Sequence, residues 1–280
     1  MTETAETLPA GAVRIPRPGI AGTLAALARR RFALTTRTPR ELIVPLLTPV
    51  LFALVIAPAL KAALHTSSTY EAFIAIGTIG LLVPLNAFFL GLGVIVDRVS
   101  GAQRELLAAP IPRALLVLAN LVVALAITAL QIGALLGFAV ARRIHFAPWG
   151  PGLFWFASAA VLFTVAMYGA AEILASRVPH QEEYIARIPV IAIAPWFLAG
   201  SLFPITAMPL GLTWVARFLP TTHALALLRY GLLHDSSGLD DIWGVSSATG
   251  SATLSLAVLA LFALALMGIA VRVFTKAATR

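Results

Sequence analysis

The residues able to do chemistry are few and mostly solitary in this chain. The densest group is the stretch Asp97–Arg113, DRVSGAQRELLAAPIPR, with Asp97, Arg98, Arg104 and Glu105 as its charges. Pro110 and Pro112 end a short helix predicted over Gln103–Ala109, since proline disfavours helix at the residue before it. Leu106 and Leu107 give that helix an apolar side, and Arg104 and Glu105 stand clear of it. A short amphipathic helix of this kind suits docking into a groove on a soluble partner, and the same pattern fits an ordinary charged connection. Glu172 ends an apolar run and is expected at the cytoplasmic interface, paired with Arg177 or the loop that follows it; a proton relay is the competing reading. Asn86, Asn120 and Gln131 are uncharged polar groups in apolar runs, where such groups usually bond to a neighbouring helix.

Catalytic chemistry finds no support. His65, His145, His180, His223 and His234 lack metal-ligand spacing, so no metal site is expected. His223 follows Pro220 and is expected to cap a turn. With no cysteine, disulfides, thiolate metal sites and cysteine nucleophiles are excluded. The two lysines, Lys61 and Lys276, follow Leu60 and Thr275, so the glycine–lysine pair of a Walker A loop is missing. There is no G-x-S-x-G elbow, and Ser246 has no histidine after it to serve as its base. The chain is expected to be neither an enzyme nor a cofactor binder.

The elements that must position these groups belong to lipid. Of 280 residues, 60% are hydrophobic and 11% charged, at a mean hydropathy of +0.93. A soluble domain carries about 25% charged residues. Six apolar stretches are long enough to cross: Leu42–Leu60, Ala72–Val96, Ala114–Ala141, Leu153–Ala171, Ile188–Phe203 and Ile242–Val271. Before them, Ile20–Leu34 reads as a helix lying on the membrane surface, either a basic anchor on anionic lipid or an element with a defined packing role; Arg31 falls inside its apolar arc, so it is expected to snorkel or the helix is imperfect. Residues 1–19 read as a disordered tail, 20–280 as one transmembrane domain, and no signal peptide precedes them.

Pro195–Arg229 breaks this pattern. An unbroken helix over Ile188–Ala216 would be about 43 Å long, against a hydrocarbon core of about 30 Å. Pro204, Pro209 and Pro220 cut it into pieces, and broken backbone at membrane depth survives only where protein or a wet cavity satisfies its amides. The 204–235 region is thus expected to turn back as a re-entrant hairpin between spans five and six.

The net charge of +8 is distributed by loop, not as a nucleic-acid footprint. Fifteen basic residues fall on one side of the six-span layout and five on the other, among them Arg142, Arg143, Arg217 and Arg229. The positive-inside bias then puts both termini in the cytoplasm. Eighteen arginines against two lysines suggest a GC-rich bacterial genome, hence a bacterial inner membrane.

Two segments together carry a family resemblance. The loop DRVSGAQRELLAAPIPR resembles the coupling helix of permease subunits from ATP-binding-cassette exporters of the second type. FLAGSLFPITAMPLGLTWVARFLPTTHALALLR, Phe197–Arg229, resembles that family's fifth span and re-entrant helices, within the daunorubicin-resistance-like drug exporter group. The resemblance implies a second permease copy or paralogue, and a separate ATPase subunit that holds ATP and magnesium. Asp97, Arg98, Gly101, Arg104, Glu105 and Leu106 would then couple to the ATPase. The first, second and fifth spans would line the path at Thr48, Phe52, Asn86, Phe89, Trp196 and Phe203. Pro204, Pro209, Pro220 and His223 would build an outer gate, and the cargo would be drug-like, lipid-like or glycan.

The chain departs from the family pattern in two places. Val99 stands where relatives often carry a second acid, and the Lys61–Glu71 connection is too short for a large ectodomain. Competing readings are an ion-coupled secondary transporter, which would need a mid-membrane acid and repeated halves, and a membrane anchor for a soluble complex.

Overall fold

Unbroken runs of leucine, isoleucine, valine and alanine long enough to span lipid favour the helix, which satisfies every backbone polar group within its own segment. The computed structural model describes residues 19–56, 58–59, 62, 68–245 and 247–277, and among them there is no strand. The helices are α1 (Ile20–Arg37), α2 (Pro39–Leu51), α3 (Ser68–Val99), α4 (Ala102–Ala108), α5 (Ala114–Ala141), α6 (Gly152–Arg177), α7 (Gln181–Ile188), α8 (Ala194–Leu198), α9 (Leu210–Phe218), α10 (Pro220–Leu233), α11 (Ser237–Trp243) and α12 (Ala248–Ala277). Wider π-helical turns, Phe52–Ile56 and Pro189–Ile193, continue α2 and precede α8.

Among the described residues, four helices are individually long and apolar enough to cross a membrane: Tyr70–Val99, Ala114–Ala141, Gly152–Arg177 and Ala248–Ala277. The other two stretches expected to cross do not form single helices of that length among the described residues. Leu42–Leu60 is α2 and its π-helical turn up to Ile56, and part of the remainder lies outside the described residues, as does the tail 1–18. Ile188–Phe203 is interrupted, because Pro189 and Pro195 withhold amide donors and the helix stops at Ala199.

α3 is the mast of the bundle. Its apolar window is 89% buried, against 28% for α12, so α3 is surrounded by protein and α12 faces outward. α12 packs most extensively on α6, which also holds α10 and α3, while α1 lies along α5. α3 runs on through Pro84 without a break. The core gathers Trp196, Tyr168, Tyr184, Phe88 and Phe163. Asn86 is fully buried, and its Nδ2 donates to Thr128 Oγ1 across the α3–α5 contact.

Two sequence expectations are corrected inside the bundle. Arg31 does not snorkel: it is 6% exposed and turns inward, where its Nη2 donates to the Leu90 carbonyl at 2.7 Å. A backbone acceptor and a nearby carboxylate, Asp97, satisfy the guanidinium there, so it does not need water. Glu172 is not paired with Arg177 either; it is fully buried, and Tyr168 donates to its Oε2 at 2.8 Å.

Candidate functional site

At one end of the bundle, α3 hands over to α4 through Ser100 and Gly101. Gly101 has φ +84°, a left-handed conformation that residues with a Cβ adopt only under strain. That turn sets α4 across the end of α3. Leu106 and Leu107 pack inward on the core, and Arg104 and Glu105 are exposed. Leu106 shares a small recess with Leu27, Leu116, Asn120 and Phe274.

Asp97 and Arg98 face the protein. Asp97 accepts from Arg30 Nη2 and Arg31 Nη1, each at 3.4 Å. Arg98 donates to the carbonyls of Ala175 at 3.1 Å and Val178 at 2.5 Å, and also reaches that of Pro179 at 3.4 Å. The last carbonyls of a helix have no partner within it, so Arg98 closes the end of α6. Arg113 likewise donates to the Thr275 carbonyl at 3.2 Å, tying the loop to the end of α12. Of the six residues expected to couple, Arg104 and Glu105 present charge outward, Gly101 makes the turn, and Asp97, Arg98 and Leu106 hold the helix in place.

The opposite end contains the broken segment. After α8 the chain turns at Gly200, φ +76°, then passes through a 3-10 turn, Ile205–Ala207, into α9 and α10. Pro204, Pro209 and Pro220 each stand at the start of a helical piece, where a missing amide donor costs nothing. The carbonyls freed by the break are taken up by side chains. Arg229 Nη1 donates to Gly200 O at 2.8 Å and its Nη2 to Ser201 O at 3.1 Å. The same guanidinium lies 3.4 Å over the Phe73 ring. Tyr70 donates to Leu202 O at 3.0 Å, and Ser201 Oγ to Trp196 O at 2.6 Å.

Arg229 is 5% exposed, although sequence reasoning counted it among loop charges. The signal that could have found it is its position: an arginine inside an apolar helical run, one turn or more from either end of α10.

The expected path residues are dispersed. Trp196 is buried, its Nε1 donating to Gly77 O at 2.7 Å, and it meets Phe52 edge to face at 5.1 Å. Asn86 is committed to Thr128, Phe89 is half-buried and Phe203 is 40% exposed. Thr48 lies in α2, with its side chain outside the described residues. Among the described side chains of this set, Phe52 and Trp196 are the pair in ring contact.

His223 joins three helices. Its Nε2 lies 2.9 Å from the Arg217 carbonyl at the end of α9, and its Nδ1 3.2 Å from Ser255 Oγ on α12. A carbonyl can only accept, so Nε2 carries the proton and Nδ1 receives the Ser255 hydroxyl. Trp243 Nε1 donates to the same Ser255 oxygen at 2.8 Å. Nearby, burial pushes the Asp241 carboxyl above its usual range, with Asp240 adding to the shift, while the hydrogen bond from Thr206 opposes it. Among the described residues no cluster of histidines and acids could hold a metal.

Four helices long and apolar enough to cross a membrane, a charged short helix hung from one end of the central mast and a pinned break at the other define a multi-helix membrane protein. The family model described as ABC-2 type transporter matches residues 23–233, a span containing both regions. The chain belongs to that family: it is a permease, the transmembrane component of an ATP-binding-cassette transporter and not itself its catalyst. The family implies an ATPase partner in general. No curated protein matches the chain.

Proposed function

We propose that this permease is one half of an ATP-driven exporter in a bacterial inner membrane, crossing it six times with both termini in the cytoplasm. A second copy or a paralogue completes the path, and separate ATPase subunits carrying ATP and magnesium dock beneath α4. The cargo is a drug-like, lipid-like or glycan molecule, as in the daunorubicin-resistance-like group. One observation carries the docking: Arg104 and Glu105 are exposed on a seven-residue helix whose root is fixed by Asp97 and Arg98. A contact made there would displace α3 and would not merely bend a loose loop.

At the far end, Pro204, Pro209, Pro220 and His223 build a re-entrant outer gate over a path lined by the first, second and fifth spans. The Arg229-held turn is the part of that gate that must open. The docking is tested by co-purification with an ATP-binding-cassette ATPase subunit produced together with this chain. Replacing Arg104 and Glu105 together by alanine is expected to abolish capture of the ATPase without altering the thermal unfolding of the permease, and undiminished capture would sink the docking.

A further inference from the structure

The mast is gripped from two sides just before it hands over to α4. α3 carries Gly91 and Gly93, two positions apart and therefore about 200° apart around the helix. A Cβ at Gly93 would collide with the Arg31 guanidinium, and a Cβ at Gly91 with the Tyr184 hydroxyl. Each bare backbone site thus admits the tip of one side chain from a different short helix. Arg31 of α1 donates to Leu90 O at 2.7 Å, and Tyr184 of α7 donates to Phe88 O at 2.9 Å. Both side chains are buried. Arg30 and Arg31 then reach Asp97 at the foot of α3.

The carbonyls involved already belong to a helix, so these contacts do little to form α3. What they fix is the relation of α1 and α7 to it. A recess of about 300 Å³ between α1 and the foot of α3, lined by Arg31, Thr35, Thr38, Val96, Asp97 and Ser100, leaves the two helices incompletely packed beside these polar contacts.

We propose that Arg31 and Tyr184 are positioning residues that lock α1 and α7 to the α3–α4 unit, so that a displacement of α4 carries both short helices with it. This rests on the reading of α4 as the ATPase contact only for the origin of the displacement; the lock itself is a property of the permease alone.

The chain has no cysteine, so introduced cysteines label cleanly. Spin labels at the exposed pairs Thr36→Cys with Ala108→Cys and Glu182→Cys with Ala108→Cys report α1 and α7 against α4. Val140→Cys with Leu153→Cys is the reference. In the full permease in lipid nanodiscs, the parent is expected to give narrow distance distributions for all three pairs. Arg31→Met should at least double the width of the first pair only, and Arg31→Lys should restore part of it. Tyr184→Phe, which deletes one hydroxyl, should widen the second pair only.

Unchanged widths in Arg31→Met and Tyr184→Phe would overturn the proposal. So would broadening of the reference pair along with the others, which would make these residues supports of the whole fold. A second arm adds the partner ATPase with trapped ATP: in the parent, α1 and α7 should move with α4, and in Arg31→Met α1 should stay behind. Movement of α1 with α4 in Arg31→Met would also overturn it. Failure of the parent to capture any ATPase would count against the exporter reading and leave the first arm standing.

Discussion

Replacing Arg229 by lysine isolates what the guanidinium fork does. A cationic side chain of similar reach stays at the site, and the more strongly hydrated ammonium is no cheaper to bury than the guanidinium. What changes is geometry: arginine serves Gly200 O and Ser201 O at once and lies flat on the Phe73 ring. A lysine ammonium is a compact point charge on a flexible stem and cannot reproduce the planar fork. One buried carbonyl left without a donor costs about 1–3 kcal/mol, and the ring contact contributes roughly 1 kcal/mol beyond what lysine retains. A net loss of about 2–4 kcal/mol in holding the turn closed corresponds to a roughly 30- to 900-fold larger open population.

Ala199 is 2% exposed and borders the small cavity beside Arg229, so a cysteine placed there is shielded until the turn opens. With Ala199→Cys as reporter in detergent micelles, maleimide labelling is expected to accelerate about 30-fold or more in Arg229→Lys, since labelling follows local opening. A rate within twofold of the parent would refute the reasoning, because it would mean that the fork does not hold the break. The outer-gate assignment would lose its latch with it.

Two further outcomes follow from single residues. Gly101→Ala places a Cβ in open space but on a backbone at φ +84°. The left-handed strain is about 1–2 kcal/mol, expected as a lower thermal midpoint together with faster amide exchange in α4; an unchanged midpoint would show that the turn relaxes freely. For Asp241, burial raises the folded pKa, so the charged form is the disfavoured one and stability falls as pH rises through that value. Asp241→Asn should therefore gain on the parent as pH rises from about 4, the ordinary carboxylate value, towards 7. A stability difference that stays flat with pH would dismiss the effect.

Local chemistry made much of this fold legible. Pro110 and Pro112 ended the helix predicted over Gln103–Ala109, and the observed α4 is displaced from it by one residue. Pro204, Pro209 and Pro220 marked the breaks because a proline's missing donor acts at its own position. The placements of Arg31 and Arg229 are not legible in the same way, for the opposite reason. Each finds its acceptors on residues far away in sequence, Leu90 and Gly200, and carbonyls are offered by every residue, so no pattern of residue types announces them. Glu172 went the same way: its placement beside Tyr168 depends on how α6 is covered by its neighbours, which helical spacing alone does not determine.

The pinned break also constrains how the protein is made. A segment carrying a guanidinium in an apolar run is a poor substrate for independent insertion, since arginine at a helix centre costs about 2.5–3.5 kcal/mol on the insertion scale. Its partners at Phe73 and Gly77 lie on α3, well over a hundred residues earlier in the chain, and so leave the ribosome first. Synthesis from the N-terminus therefore delivers the receptor before the ligand: α3 is in place when Trp196 and then Arg229 arrive. Biogenesis in this order lets a piece of backbone unfit to enter lipid alone be received by protein already there.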